Sequence, residues 1–252
     1  MILGIDTTSD WSSIALDEKC VVWRGDRNQS KELLPKIEEL LKKNKSSFDD
    51  LTGVMVVNGP GSYTGIRIGV SVANTIGMLK GIPVKGVDGL FAQVICNMQY
   101  TICKKQEEKS KTKEKYENVI SLMSAGGRRV YGCKYQVISG KWQVMCHPEP
   151  ESESASVSSN SGSGLIKEGN FYIGEVDGFL NENDKDSFVI GEVNEEVENW
   201  IKSSGFNNFE LLNGDDKLGR AWGAVRLWDE LPEVANNNVI PLYLREAVRN
   251  KQ

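Results

Sequence analysis

Residues 59–77 read Gly-Pro-Gly-Ser-Tyr-Thr-Gly-Ile-Arg-Ile-Gly-Val-Ser-Val-Ala-Asn-Thr-Ile-Gly, and no other stretch constrains the fold as much. A glycine-rich turn runs straight into a helical pattern. Gly65, Gly69, Ala73 and Gly77 recur every fourth residue. At about 100° per residue they fall on one helix face. Glycine inside a helix costs roughly 0.8–1 kcal/mol relative to alanine, so three of them need a compensating gain. Close approach of another backbone supplies it. Ile66, Ile68, Val70, Val72, Ile76 and Leu79 widen the apolar face beyond that of an ordinary surface helix. The pattern predicts that part of this face meets the core and part meets another helix, on this chain or on a second one.

A strand, a glycine-rich turn and a helix also form the setting of a phosphate cradle. Val54 to Val57 supply the apolar strand. Neither standard template fits. No Gly-Lys-Ser/Thr is present, Lys80 comes far too late, and the Gly-x-Gly-x-x-Gly spacing is absent. Packing is the favoured local reading over phosphate binding.

The chain has 252 residues, 39% of them hydrophobic, which suffices for one large domain or two lobes with a real core. A formal net charge of −5 argues against a nucleic-acid-binding surface on this chain alone. No stretch approaches the roughly 18 apolar residues of a membrane span. The opening Met-Ile-Leu-Gly-Ile-Asp reads as a first strand, not a signal peptide. Cys20, Cys96, Cys103, Cys133 and Cys146 contain no Cys-x-x-Cys pair. They read as buried free thiols in a reducing cytoplasm.

Three short β-branched segments, 2–6, 12–17 and 19–25, predict an antiparallel meander. Leu33, Leu34, Ile37, Leu40 and Leu41 then hold helical spacing, with Ser30 as a cap. Pro35 places the start of that helix near Leu34 or kinks it. Strands follow at 53–57 and 84–87, and a helix at 90–98. Residues 104–115 are charged and polar without an apolar residue and read as a solvated linker. New strands follow at 118–124, 129–138 and 141–147, then Ser-rich low-complexity sequence at 151–164. A strand at 188–193, a helix at 195–203 and a long helix from about 216 to 231 close the pattern. A strand-rich start followed by alternating elements thus occurs twice, which predicts two related lobes.

Several segments together resemble one family. They are Gly4-Ile-Asp-Thr-Thr8, Ser30-Lys-Glu-Leu-Leu-Pro35, Asn58-Gly-Pro-Gly-Ser-Tyr-Thr-Gly-Ile-Arg-Ile-Gly69, Arg129-Val-Tyr131 and Pro241-Leu-Tyr-Leu-Arg245, in the expected order. The chain resembles the bacterial TsaB (YeaZ) family over nearly its whole length. The resemblance implies an α/β fold of the actin-like, Hsp70-like and sugar-kinase-like (ASKHA) class, with two related lobes of mixed sheet flanked by helices. The expected division is a first lobe over 1–103 with the partner-binding helices, a charged linker over 104–116, and a second lobe over 117–252. The C-terminal segment would return to the first lobe. The implied role is that of an accessory subunit, itself without catalytic residues, in the complex that makes threonylcarbamoyladenosine beside the tRNA anticodon. Its partners would be the catalytic paralogue TsaD and the ATPase TsaE, with tRNA met only through the complex, in the cytoplasm and with no membrane. A homodimer is the alternative state for the chain alone. Two positions depart from the family pattern: Gln29 stands where a histidine is common, and Ser124-Ala-Gly-Gly-Arg-Arg129 replaces Asp-Ala-Arg.

The candidate partner interface is Leu33, Ile37, Leu40, Leu41, Gly65, Gly69, Ala73 and Gly77. Asp6, Thr7 and Thr8 are where a residual nucleotide contact would fall, because nucleotide-binding members of this fold place an aspartate there. Thr8 stands where those members have glycine, and the competing reading is a turn satisfied by Asp and Thr side chains. His147 is the sole histidine and lies before Pro148. One imidazole supplies neither a paired-histidine metal site nor a supported nucleophile–base set. No metal or cofactor is therefore expected in this chain, and nucleotide and metal are expected on the partner subunits. Arg67 is read equally as an anion grip or a solvent-facing ion pair, and Arg128 and Arg129 as a solvated pair rather than a tRNA contact. The rival functions are an actin-fold ATPase or small-molecule kinase built on Asp6, a peptidase, and a homodimeric interaction protein.

Overall fold

The computed structural model describes residues 1–25, 28–104, 118–138, 141–145, 171–181, 183, 185–211, 219–232 and 238–244. Its first sheet holds β1 (Ile2–Asp6), β2 (Trp11–Leu16), β3 (Lys19–Arg24), β4 (Gly53–Val57) and β5 (Val84–Val87) in the order β3-β2-β1-β4-β5. The β1–β2 and β2–β3 pairs are antiparallel, while β1–β4 and β4–β5 are parallel. The second sheet holds β6 (Asn118–Gly126), β7 (Arg129–Ile138), β8 (Lys141–Met145), β10 (Phe188–Glu192) and β11 (Phe209–Leu211) in the order β11-β10-β6-β7-β8. A further strand, β9 (Tyr172–Glu175), pairs with the first half of β7. Read from β8, the second sheet repeats the order and the antiparallel-to-parallel switch of the first.

Among the described residues six α-helices pack on these sheets: α1 (Gln29–Lys43), α2 (Tyr63–Lys80), α3 (Gly89–Lys104), α4 (Val176–Asn181), α5 (Glu195–Ser203) and α6 (Arg220–Val225). The period-two alternation of strand residues sorts them into layers. Leu3, Ile5, Val54 and Val56 point to a core shared with Leu33, Ile37, Ile66 and Val70 of α1 and α2. Met55 and Val57 point the other way, into a core with α3, α6 and the inner side of the second sheet. Ile120, Leu122 and Val189 form a third core with Phe179, Val197 and Ile201 of α4 and α5. The order is therefore helices, sheet, helices, sheet, helices.

Several local expectations change. Helix α1 begins at Gln29, ahead of Pro35, and its N-cap is Asn28 with no side-chain bond; Ser30 lies inside the helix. Pro35 is tolerated because it is on the solvent side, where water serves the Lys31 carbonyl that loses its donor. Helix α3 runs past Met98 to Lys104. The long helix expected from 216 to 231 is six residues, Arg220–Val225, followed by turns. Beyond Val225 the N–H groups of Leu227, Trp228 and Glu230 bond three residues back. Lys85 Nζ donates to the Trp228 and Leu231 carbonyls at 2.8 and 2.7 Å and so ties this segment to β5. The charged stretch from 105 and the Ser-rich stretch 151–164 lie outside the described residues.

Candidate functional site at the junction of the two sheets

The carboxyl ends of β1 and β10 meet at one side chain, Arg220. It opens α6, which is set in place from both sides. The Ala221 N–H donates to Ser13 Oγ at 3.1 Å, and any Cβ on Gly219 would collide with Ser13. Glycine at residue 4 likewise lets the α6 backbone lie on β1, since a Cβ there would stand 2.5 Å from the Ala221 carbonyl oxygen. From this position the guanidinium reaches both sheets. Its Nε donates to Asp6 Oδ2 at 2.6 Å. One Nη donates to Ser9 Oγ at 2.8 Å, to Thr8 Oγ1 at 3.3 Å, and lies 3.3 Å from Glu192 Oε2. The other Nη lies 2.9 Å from Met123 Sδ on β6. Asp6 and Arg220 are 1% and 3% exposed, and the Glu192 side chain 17%.

The charges in this site hold one another. Burial alone would lower the Arg220 pKa, but the Asp6 and Glu192 carboxylates beside it raise it, so the cation is retained. Burial pushes the Glu192 carboxyl above its ordinary value, although Arg220 pulls the other way. Nearby, burial pushes the Cys20 thiol up to about 11 and the Cys96 thiol up to about 12. Both are therefore protonated, unreactive thiols at neutral pH.

The three residues named for a nucleotide contact are occupied within the chain. Asp6 Oδ1 accepts from the Thr8 N–H at 2.9 Å and from Thr8 Oγ1 at 2.7 Å. Its other oxygen faces Arg220. Thr7 Oγ1 donates to the Gly65 carbonyl at 2.6 Å, and the Thr8 carbonyl accepts from the Ser62 N–H at 2.7 Å. Thr7 and Thr8 are fully buried. This is the turn satisfied by its own side chains. The glycine-rich turn before α2 is a packing device: a Cβ on Gly59, Gly61 or Gly65 would collide with the carbonyl of Leu242, Thr8 or Thr7.

The eight residues named for the partner interface also lie inside. Leu33, Ile37, Leu40, Leu41 and Ala73 are 0–4% exposed in the core between the helices and the first sheet. Gly65, Gly69 and Gly77 face Thr7 and Val84 of that same sheet. The backbone that the small face approaches is the chain's own, because the sheet lies under both helices and claims the most apolar stripe. What α1 and α2 turn outward is a different set: Leu34 at 44%, Tyr63 at 41%, Met78 at 75% and Leu79 at 73% exposed, with Ile68 and Val72 half-buried between them.

Arg67 donates to Tyr63 Oη at 3.3 Å and makes no ion pair among the described residues. It lies over the Tyr63 ring, 5.2 Å from its centroid, and Tyr63 stacks on Tyr243 at 4.7 Å. Arg128 faces Asp177 at 3.6 Å with both side chains half-buried. His147 lies outside the described residues. Arg220 and Glu192 were not named from the sequence. One signal pointed to Arg220: a lone charge opening the otherwise apolar run Arg-Ala-Trp-Gly-Ala-Val, which needs a buried partner.

Two repeated mixed sheets, with helices between and outside them, define a two-lobed protein of the ASKHA class. The family model described as "TsaD: tRNA N6-adenosine threonylcarbamoyltransferase" matches residues 24–149, half of the chain. Curated relatives include the "tRNA threonylcarbamoyladenosine biosynthesis protein TsaB" of Buchnera aphidicola from Acyrthosiphon pisum, 30% identical over 54% of this chain and 57% of that protein. The Bacillus subtilis protein of the same description is 36% identical over 35% of this chain and 41% of that protein. These alignments span about half the length of the curated relatives. A solved structure described as "YeaZ from Pseudomonas aeruginosa" shares the fold, with a TM-score of 0.62 at 16% identity, covering 96% of this chain and 99% of that one. The chain belongs to the TsaB (YeaZ) family, within the wider group that the threonylcarbamoyltransferase model describes.

Proposed function

We propose that this chain is an accessory subunit that supports threonylcarbamoyl transfer to tRNA without performing it. It would hold a TsaD-type catalytic paralogue against the outer faces of α1 and α2. The observation that carries this reading is the outer side of the two helices, where Leu34 of α1 is 44% and Met78 and Leu79 of α2 are 75% and 73% exposed beside half-buried Ile68 and Val72, in a chain whose relatives are described as TsaB. Large apolar side chains left this exposed on a well-packed helix mark a contact site. Ile68, Val72 and Leu79 lie within about 40° of one another around α2 and so present one side to a partner helix. The Asp6 turn supports the non-catalytic part of the reading, since its carboxylate is engaged by Thr8 and Arg220. A TsaE-type ATPase would join through the assembled complex, which would also be where tRNA is met. Nucleotide and metal would belong to those partners.

The test is light scattering on this chain alone, on the TsaD-type paralogue of the same genome, and on their mixture. A 1:1 heterodimer that Leu79→Asp disrupts supports the reading. A homodimer that persists in the presence of the paralogue overturns it in favour of a self-associating protein. The purified chain given tRNA and threonylcarbamoyl-adenylate should modify nothing, and adding the paralogue should restore transfer.

A further inference from the structure

We infer that Arg220 is an internal cation that ties the two sheets together and itself fills the space at the ends of β1 and β10, where it leaves no room for an external ligand. This is independent of the pairing proposed above. The inference starts from chain connectivity. Asp6, Thr8 and Ser9 belong to the end of β1 and the turn beyond it, Met123 to β6, and Glu192 to the end of β10. Arg220 contacts all five. Ser9, which donates to the Trp11 carbonyl on β2, also hydrogen-bonds to Glu192 across the same junction. The guanidinium fork suits the task, because its donors diverge in one plane and reach several acceptors at once.

The electrostatics make the occupancy self-consistent. Two carboxylates facing one buried point require a positive charge there. Arg220 supplies it from within the chain, so no mobile cation is needed. A phosphate-bearing ligand would have to displace the guanidinium and then face Asp6 and Glu192 unneutralised. Glycine at residue 219 and the Ser13 bond fix the root of the side chain, so the plug is placed by backbone packing on β2 and not by its own flexibility.

Three variants test this, read by amide hydrogen exchange and by urea unfolding. Arg220→Met keeps length and removes the charge. It should raise exchange selectively in peptides covering 3–9 and 188–195, by roughly a hundredfold, because the acids are left buried and unpaired. Peptides from α1 and α5 should change far less. The triple variant Arg220→Met/Asp6→Asn/Glu192→Gln removes the acids as well. It should recover much of the global stability yet keep the fast local exchange, since the tie is still missing. Arg220→Lys should be intermediate, with one point charge for five contacts. Unchanged exchange at the strand ends in Arg220→Met overturns the inference. So does exchange in the triple variant that returns to the native pattern, because the arginine would then only neutralise acids. If Arg220→Met does not fold, the triple variant alone decides between these outcomes.

Discussion

Thr7 and Gly65 are locked in a reciprocal contact. Thr7 Oγ1 donates to the Gly65 carbonyl at 2.6 Å, while the Thr7 carbonyl fills the space that a Cβ on Gly65 would need. The end of β1 and the first turn of α2 are thus in backbone-to-backbone contact, 58 residues apart in sequence. Glycine is required at residue 65 for steric reasons that lie wholly within the chain.

Gly65→Ala should destabilise the chain by about 2 kcal/mol or more, because its new methyl meets backbone, which cannot swing aside. Gly69→Ala meets the Thr7 hydroxyl at 2.6 Å, a side-chain atom that can rotate, and gains roughly 0.8–1 kcal/mol of helix propensity. Its net loss should be smaller. Urea midpoints of the two variants check the ranking, and equal losses would refute the account.

Leu33→Ala and Leu79→Ser should part company. Leu33 is fully buried between α1 and the first sheet, so its loss should cost about 2–5 kcal/mol. Leu79 is 73% exposed, and its replacement should change stability by no more than about 0.5 kcal/mol. Pairing with the paralogue should show the opposite sensitivity once folding is confirmed. Calorimetric titration of each variant measures it.

Asp88 caps α3 from a fully buried position. Its Oδ1 accepts from the Phe91 N–H at 2.8 Å and from Tyr135 Oη at 3.2 Å. Burial nevertheless pushes its carboxyl up to about 6, with these hydrogen bonds pulling it back down. The unfolded chain loses this proton near pH 4 and the folded chain near pH 6, so between them the folded state binds more protons. Stability from this group therefore falls as pH rises from about 4 to 6, by an amount on the order of 3 kcal/mol. Asp88→Asn keeps an acceptor for Phe91 and should remove that part of the slope. Urea unfolding at pH 4.5 and pH 7 should show the variant gaining on the parent at the higher pH. A difference that does not vary with pH would contradict this.

Asn74 holds the segment 238–244 on the outer side of α2. Its Nδ2 donates to the Val239 carbonyl and to Asn238 Oδ1, and its Oδ1 accepts from the Val239 N–H, all at 3.0 Å. Asn74→Ala should free that segment at a cost of about 1–3 kcal/mol of local stability. Limited proteolysis should then cut near Asn238 faster than in the parent, with the β1 and β4 amides still protected. An unaltered cleavage rate would show that Tyr63–Tyr243 stacking and the Asn58 contacts hold the segment without it.

Local patterning was enough for much of the chain. The meander, the strands at 53–57 and 84–87, and the helix at 195–203 are short-range outcomes of period-two or period-3.6 apolar spacing, and they stand where the spacing put them. The small face of α2 was legible for the same reason. What it touches was not, since a four-residue period names a helix face but not the surface opposite. The sheet under α2 claims that face, which leaves Met78 and Leu79 on the side turned to solvent. After Val225 the chain turns through bonds three residues back, and Lys85 Nζ anchors that segment by the Trp228 and Leu231 carbonyls, contacts from far along the chain that no local spacing announces. Arg220 is the clearest case. Its charge is written in the chain, but its acceptors lie 28, 97, 211, 212 and 214 residues away, at Glu192, Met123, Ser9, Thr8 and Asp6. Long-range electrostatic pairing has no sequence period, and only the stacking of the two sheets on α6 brings those atoms to one point.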